Sequence, residues 1–135
     1  GMDLKSAQLQ AQDGVTTALE TELGTLAVGP WYAAREGQSP IHYGVAVGHR
    51  QARARVLSGV DVPDPLFSPD VARLEQAPEW RSNPASDDEL RRLLADLDAG
   101  LDEGALGIGT IIQHTPGARR EEILDRIQPV SYTHL

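Results

Sequence analysis

The sequence predicts an α/β protein built on a parallel sheet, with about three β/α units, and three observations lead there. Short strand-like runs alternate with helical patterns along the whole chain. Those runs are apolar with little alternation, as strands buried on both faces are. Only six aromatic residues occur (Trp31, Tyr32, Tyr43, Phe67, Trp80, Tyr132), so a core would rest on Leu, Val, Ile and Ala, which suits helices packed on a parallel sheet. Periodicity alone does not choose between a doubly wound sheet and a closed barrel, and a complete eightfold barrel needs about 250 residues.

The elements follow in order. Asp3 to Gln12 favours helix, with Leu4, Ala7 and Ala11 on one face and Gly14 placed to stop it. Val15 to Thr21 reads as a strand with Glu20 and Glu22 at its C-terminal end, and a Gly24 to Gly29 loop follows. Pro30 fits the first position of a helix through Trp31 to Glu36, since proline has no N–H to leave unpaired there. Ile41 to Val47 is the second strand. Gly48-His49 then opens a helix carrying Arg50, Arg53 and Arg55 and ending at Gly59.

Between Gly59 and Pro84, Pro63, Pro65, Pro69, Pro78 and Pro84 break regular structure except for a short helix near Val71 to Gln76. The clearest local signal comes next. Ser86 and Glu89 have the spacing of a capping box, and Leu90, Leu93, Leu94, Leu97 and Leu101 repeat at helical intervals up to Gly104. Ala105 to Thr110 reads as a buried strand, Gln113 to Gly117 as a loop, and Arg119 to Arg126 as the start of a last helix.

Composition excludes several classes. With 20 acidic against 12 basic side chains, the net charge of −8 disfavours a nucleic-acid partner, because phosphate binding is carried by clustered Lys and Arg. No run of about 18 apolar residues marks a membrane span and no signal peptide is seen, so a cytoplasmic protein is expected, with export the alternative if the native N-terminus is missing. The absence of cysteine removes disulfides and thiolate nucleophiles. Four histidines (His42, His49, His114, His134) do not assemble a Ser/His/Asp constellation, and Gly104, Gly107 and Gly109 lack the order of a phosphate-binding loop.

Three blocks taken together resemble one family. They are AQDGVTTALETE at Ala11 to Glu22, IHYGVAVGHRQARARVLSG at Ile41 to Gly59, and DDELRRLLADLDAGLDEGALGIGT with QHTPGARREEI through Ile123. In this order and at these separations they are similar to the N-acyl-D-amino-acid deacylase (D-aminoacylase) branch of the amidohydrolase superfamily. The resemblance implies a partial TIM-type (β/α)8 metallo-hydrolase barrel over residues 1–129. It implies one or two divalent ions, zinc in most members, and hydrolysis of the amide of a small-molecule N-acyl-D-amino acid by metal-activated water. The same barrel in the dihydroorotase and hydantoinase branch opens cyclic amides, which makes a cyclic-amide hydrolase the nearest alternative. A non-catalytic α/β interaction module is an alternative of another class.

In the family the metal is held by a His-x-His pair, later histidines and an aspartate. No His-x-His occurs here, and the position of a cysteine ligand known in the family falls at Leu23. The chain is therefore expected to be an internal, inactive fragment of its parent enzyme. Glu20 and Glu22, at a strand's C-terminal end, are the candidate metal ligands, because that end faces the mouth of such a barrel. The alternative for them is one exposed carboxylate and one salt-bridged in the barrel wall. His49, at a strand-to-helix junction where the family keeps a Gly-His, is a candidate for substrate contact or for hydrogen bonding within the barrel mouth. His114, where the family more often shows a tyrosine, is a second substrate-contact candidate, with an exposed loop residue as the alternative. His42 is expected to be packed inside its strand, and Arg50, Arg53 and Arg55 to line a solvated helix face, with an anion site for a substrate carboxylate as the alternative. Val130 to Leu135 correspond to the codons GTC-TCT-TAT-ACA-CAT-CT, similar to a transposon-end adaptor, so residues 130–135 are expected to be a non-native tail.

Overall fold

A chain whose apolar residues alternate between strand and helix periods must bury both in one layer contact, and the sheet here does so on a single face. The computed structural model describes residues 4–62 and 70–124. Helix α1 (Leu4–Gln12) leads into strand β1 (Thr17–Thr25), helix α2 (Val28–Ala33) and strand β2 (His42–Gly48). Helices α3 (His49–Ser58), α4 (Asp70–Gln76), α5 (Glu79–Ser82) and α6 (Asp87–Asp102) follow, then strand β3 (Ile108–Gly109) and a 3-10 turn at Ile112–His114. Residues 120–124 begin a further helical segment. The expected tail at 130–135, the prolines at 63, 65 and 69 and the far end of the last predicted helix lie outside the described residues.

The three strands form one parallel sheet in the order β1-β2-β3. Thr17 pairs with His42 and Glu20 with Val45 in β1 and β2, while Val47 pairs with Ile108 in β2 and β3. Each crossover carries at least one helix, as a parallel connection requires. Val45 and Val47 of β2 pack on Val28 of α2, Ala52 of α3, and Leu93 and Leu97 of α6, all fully buried. The opposite face is built differently. Leu19 of β1 and Leu106 flank Gly44 there, so close that a Cβ on Gly44 would lie 2.4 Å from Leu106 Cδ1 and 3.2 Å from Leu19 Cδ2. Yet Leu19 and Leu106 are 55% and 49% exposed. A second, smaller core of Ala54, Val60, Val62, Leu74 and Trp80 fastens the proline-rich excursion to the outer side of α3.

Several boundaries moved for local reasons. β1 begins at Thr17 and runs to Thr25, past the predicted end at Thr21, because its last residues lean across β2 after a break in register. Gly24 makes that possible. Its φ is +67°, and a Cβ there would stand 2.4 Å from the Ala46 carbonyl oxygen. Pro30 occupies the third position of α2 instead of the first, which is tolerated because no N–H in the first helical turn has an intrahelical partner. The third strand is two residues long instead of six, although its approach already pairs, with Leu106 N–H donating to Val45 O. α5 was not predicted; it forms because Trp80 is only 1% exposed and its indole N–H donates to Leu74 O at 3.0 Å, fixing the turn around it. Among the described residues no helix is long and apolar enough to cross a membrane.

Candidate functional site

Parallel strands aim their C-terminal ends in one direction, and here that end collects the residues singled out in the sequence. Glu20, Glu22 and Gly24 close β1, Gly48 and His49 join β2 to α3, and Gly109 and Thr110 end β3. The ends converge. A Cβ on Gly109 would lie 3.0 Å from the Glu22 carbonyl oxygen, so the last residues of β1 reach over β2 to touch β3. Gln51, in the first turn of α3, locks this convergence by donating from Nε2 to Gly24 O at 2.9 Å.

The two glutamates differ in setting. Glu20 pairs in register with Val45, placing its Cβ on the helix-covered face, and its Oε1 accepts from the backbone N–H groups of Glu22 (3.2 Å) and Leu23 (3.1 Å). Its carboxylate thereby secures the break in β1. Glu22 is exposed at the strand end. Leu23, at the position where a cysteine ligand was sought, is buried in the core.

His49 is 1% exposed and both its ring nitrogens have protein partners. Nε2 lies 3.2 Å from Glu122 Oε2, and Nδ1 lies 3.2 Å from Thr110 Oγ1. An ionised carboxylate only accepts, so Nε2 carries the proton toward Glu122 and, in the neutral ring, the Thr110 hydroxyl donates to Nδ1. His49 thus ties the start of α3 to the end of β3. His114 sits in the exposed 3-10 turn after β3, apart from the His49 network. His42 was expected inside its strand but is exposed, because strand alternation puts it with Gly44 on the sheet face that the helices leave uncovered.

Arg53 corrects a second expectation. Placed in the sequence on a solvated helix face, it is fully buried, one turn of α3 below His49. Its guanidinium donates from Nε to Trp80 O (2.7 Å), from NH2 to Asn83 O (2.5 Å) and from NH1 to Glu122 Oε2 (2.5 Å). Arg55 alone of the three matches the solvated reading, reaching Asp61 and Asp96 at the surface.

Glu122 is the residue that sequence reading missed. Its Oε2 receives His49 and Arg53, and its Oε1 accepts from Arg119 N–H at 3.0 Å, three residues back, as in half a capping box. Burial by itself would raise the carboxyl pKa. The hydrogen bonds from His49 and Arg53 outweigh it and hold the group at about 2, so Glu122 is an anion at neutral pH. The available signal was its place as the third residue of a helix following a Pro-Gly turn.

These settings bear on a metal. Glu22 and Glu20 are carboxylates at one strand end, but one oxygen of Glu20 already serves two amides and His49 has no free nitrogen. Among the described residues, no three His, Cys, Asp or Glu side chains come together as a metal centre would need. The described residues therefore do not fit a complete metal site by themselves. Comparison of the chain with protein-family models, with curated proteins and with solved structures found no match.

Proposed function

We propose that this chain forms three consecutive β/α units of a TIM-type barrel in a metal-dependent amidohydrolase that cleaves the amide of N-acyl-D-amino acids. One observation carries the barrel reading. The strands are parallel and in sequential order, and the helices packed on them share one face, while the other face presents exposed Leu19 and Leu106. A doubly wound sheet takes helices on both faces, whereas a barrel keeps them outside and fills its interior with side chains from neighbouring strands. Leu19 and Leu106, interlocked around Gly44, have the character of such an interior layer.

The chemistry rests on the ordered sequence blocks. A divalent ion, zinc in the enzymes the chain resembles, would supply an activated water and polarise the amide carbonyl. Of the two candidate carboxylates, exposed Glu22 is the one this chain would offer to such an ion, since Glu20 is held on its own backbone; the other donors would come from further segments of the parent. The Glu122–His49–Arg53 network ties the β2–α3 junction to the end of β3 through Thr110.

The test begins with the source gene on either side of this segment. The complete protein, expressed and loaded with zinc, is assayed against N-acetyl-D- and N-acetyl-L-amino acids and against cyclic amides. Release of free D-amino acid, with zinc content lowered in Glu22→Ala, is the expected result. Ring opening alone would move the assignment to the cyclic-amide branch. A complete reading frame with no His-x-His, and no hydrolysis of any of these amides, would overturn the reading.

A further inference from the structure

Burying a guanidinium without acceptors for its donors is costly, and most arginines here avoid it. Arg53 has three acceptors, Arg55 has two carboxylates, and Arg119 bonds Asp87 at 2.7 Å. Arg50 is the exception among the described residues. Its side chain is only 13% exposed, yet it makes no hydrogen bond, and its buried Nε has no partner. Its nearest counter-charge is Glu75 Oε1 at 4.0 Å, beyond hydrogen-bonding distance.

Arg81 meets the same atom. Its NH2 lies 3.7 Å from Glu75 Oε1, so two guanidiniums share one distant carboxylate oxygen and the group carries excess positive charge. Both also stack near Trp80, at 5.0 Å for Arg50 and 5.3 Å for Arg81 from the ring centre. Trp80, buried and bonded through its indole to Leu74 O, gives both cations a fixed ring to lie against. Glu75 is 54% exposed and free to swing away. Consistent with an unmet need for an anion, burial is the largest influence on Arg50 and lowers its pKa despite the nearby Glu75.

We propose that Arg50 and Arg81, set against Trp80, form a binding site for a small oxyanion, a carboxylate or a phosphate. A planar or tetrahedral oxyanion entering where Glu75 Oε1 now stands would face both guanidiniums at once and give their unused N–H groups charge-assisted acceptors. Glu75 is the resident competitor that such a ligand displaces. This site stands whether or not the parent is a hydrolase.

The test is an NMR titration of the 15N-labelled 135-residue chain with sodium phosphate and with sodium acetate at constant ionic strength, matched against sodium chloride. The Trp80 indole N–H is expected to shift saturably while that of Trp31 does not. Saturation by acetate assigns the site to carboxylates as well, and saturation by phosphate alone restricts it to phosphates. Arg81→Gln, at a half-exposed position that leaves the fold intact, should weaken binding about tenfold, the loss of one or two charge-assisted hydrogen bonds. Glu75→Gln should tighten it severalfold, and Arg55→Gln should leave it unchanged. Shifts no different from chloride, or equal affinities in the parent chain and Arg81→Gln, would overturn the proposal.

Discussion

Glu122 joins three segments through one side chain: α3 through Arg53, the β2–α3 junction through His49, and its own helix start through Arg119. Removing its charge leaves the fully buried Arg53 cation without its counter-charge. Glu122→Gln is therefore expected to cost about 3 kcal/mol, measured by urea unfolding at neutral pH. Its pH dependence has a definite sign. A carboxyl held at about 2 in the fold, below its ordinary 4.5, stabilises the folded state fully above the ordinary value. That contribution, about 3 kcal/mol, is lost as pH falls from about 5 toward 2. Urea midpoints followed down this range should fall more steeply for the parent chain than for Glu122→Gln; parallel slopes would show that Glu122 is not the group responsible. Of this network only His49 was legible in the sequence, as a candidate for hydrogen bonding at a strand-to-helix junction; its partner Glu122 lies 73 residues away, and local sequence does not register that pairing.

At the scale of elements, α6 was the most legible because its signals are local. Ser86 Oγ accepts from Glu89 N–H and the Glu89 carboxylate accepts from Ser86 N–H, the reciprocal capping box that the spacing predicted. Ser86→Ala is expected to lower stability by about 1 kcal/mol in thermal unfolding. Gly100, in the same helix, makes the opposite point. Alanine in a helix interior is ordinarily favoured over glycine by about 1 kcal/mol. Here an added Cβ would lie 2.3 Å from Val47 Cγ2 and 2.8 Å from Val47 Cβ, on a strand that cannot retreat. Gly100→Ala should thus destabilise by about 1–3 kcal/mol, and a raised melting temperature would contradict that packing. The strands were legible as apolar runs but not in length. β3 shortened and β1 lengthened because their ends are set by where the neighbouring backbone approaches, at Gly24 and Gly109, and not by their own side chains.

On the scale of the whole molecule, the open sheet face is the dominant liability. Leu19 and Leu106 present contiguous apolar surface beside the outer edges of β1 and β3, which pair with no further strand among the described residues, a combination that drives association. The isolated chain is expected to associate with rising concentration. Leu19→Thr with Leu106→Thr should reduce light scattering at equal concentration with little loss of melting temperature, because neither leucine lies in the helix-covered core. If scattering is unchanged, association arises elsewhere.

The sequence by itself determined the alternation of strand and helix, the parallel α/β class, the start of α6 and the stops at Gly14 and Gly59, because each depends on residues within a few positions of one another. It also placed Glu20, Glu22 and His49 at strand ends. Only the tertiary structure decided what those residues do there. Glu20 turned back to its own backbone, His49 was buried against Glu122, and Arg53 left solvent for an ion pair. The physical reason is shared: burial and charge pairing are set by contacts between segments distant in sequence, and local propensity does not register the distance between them.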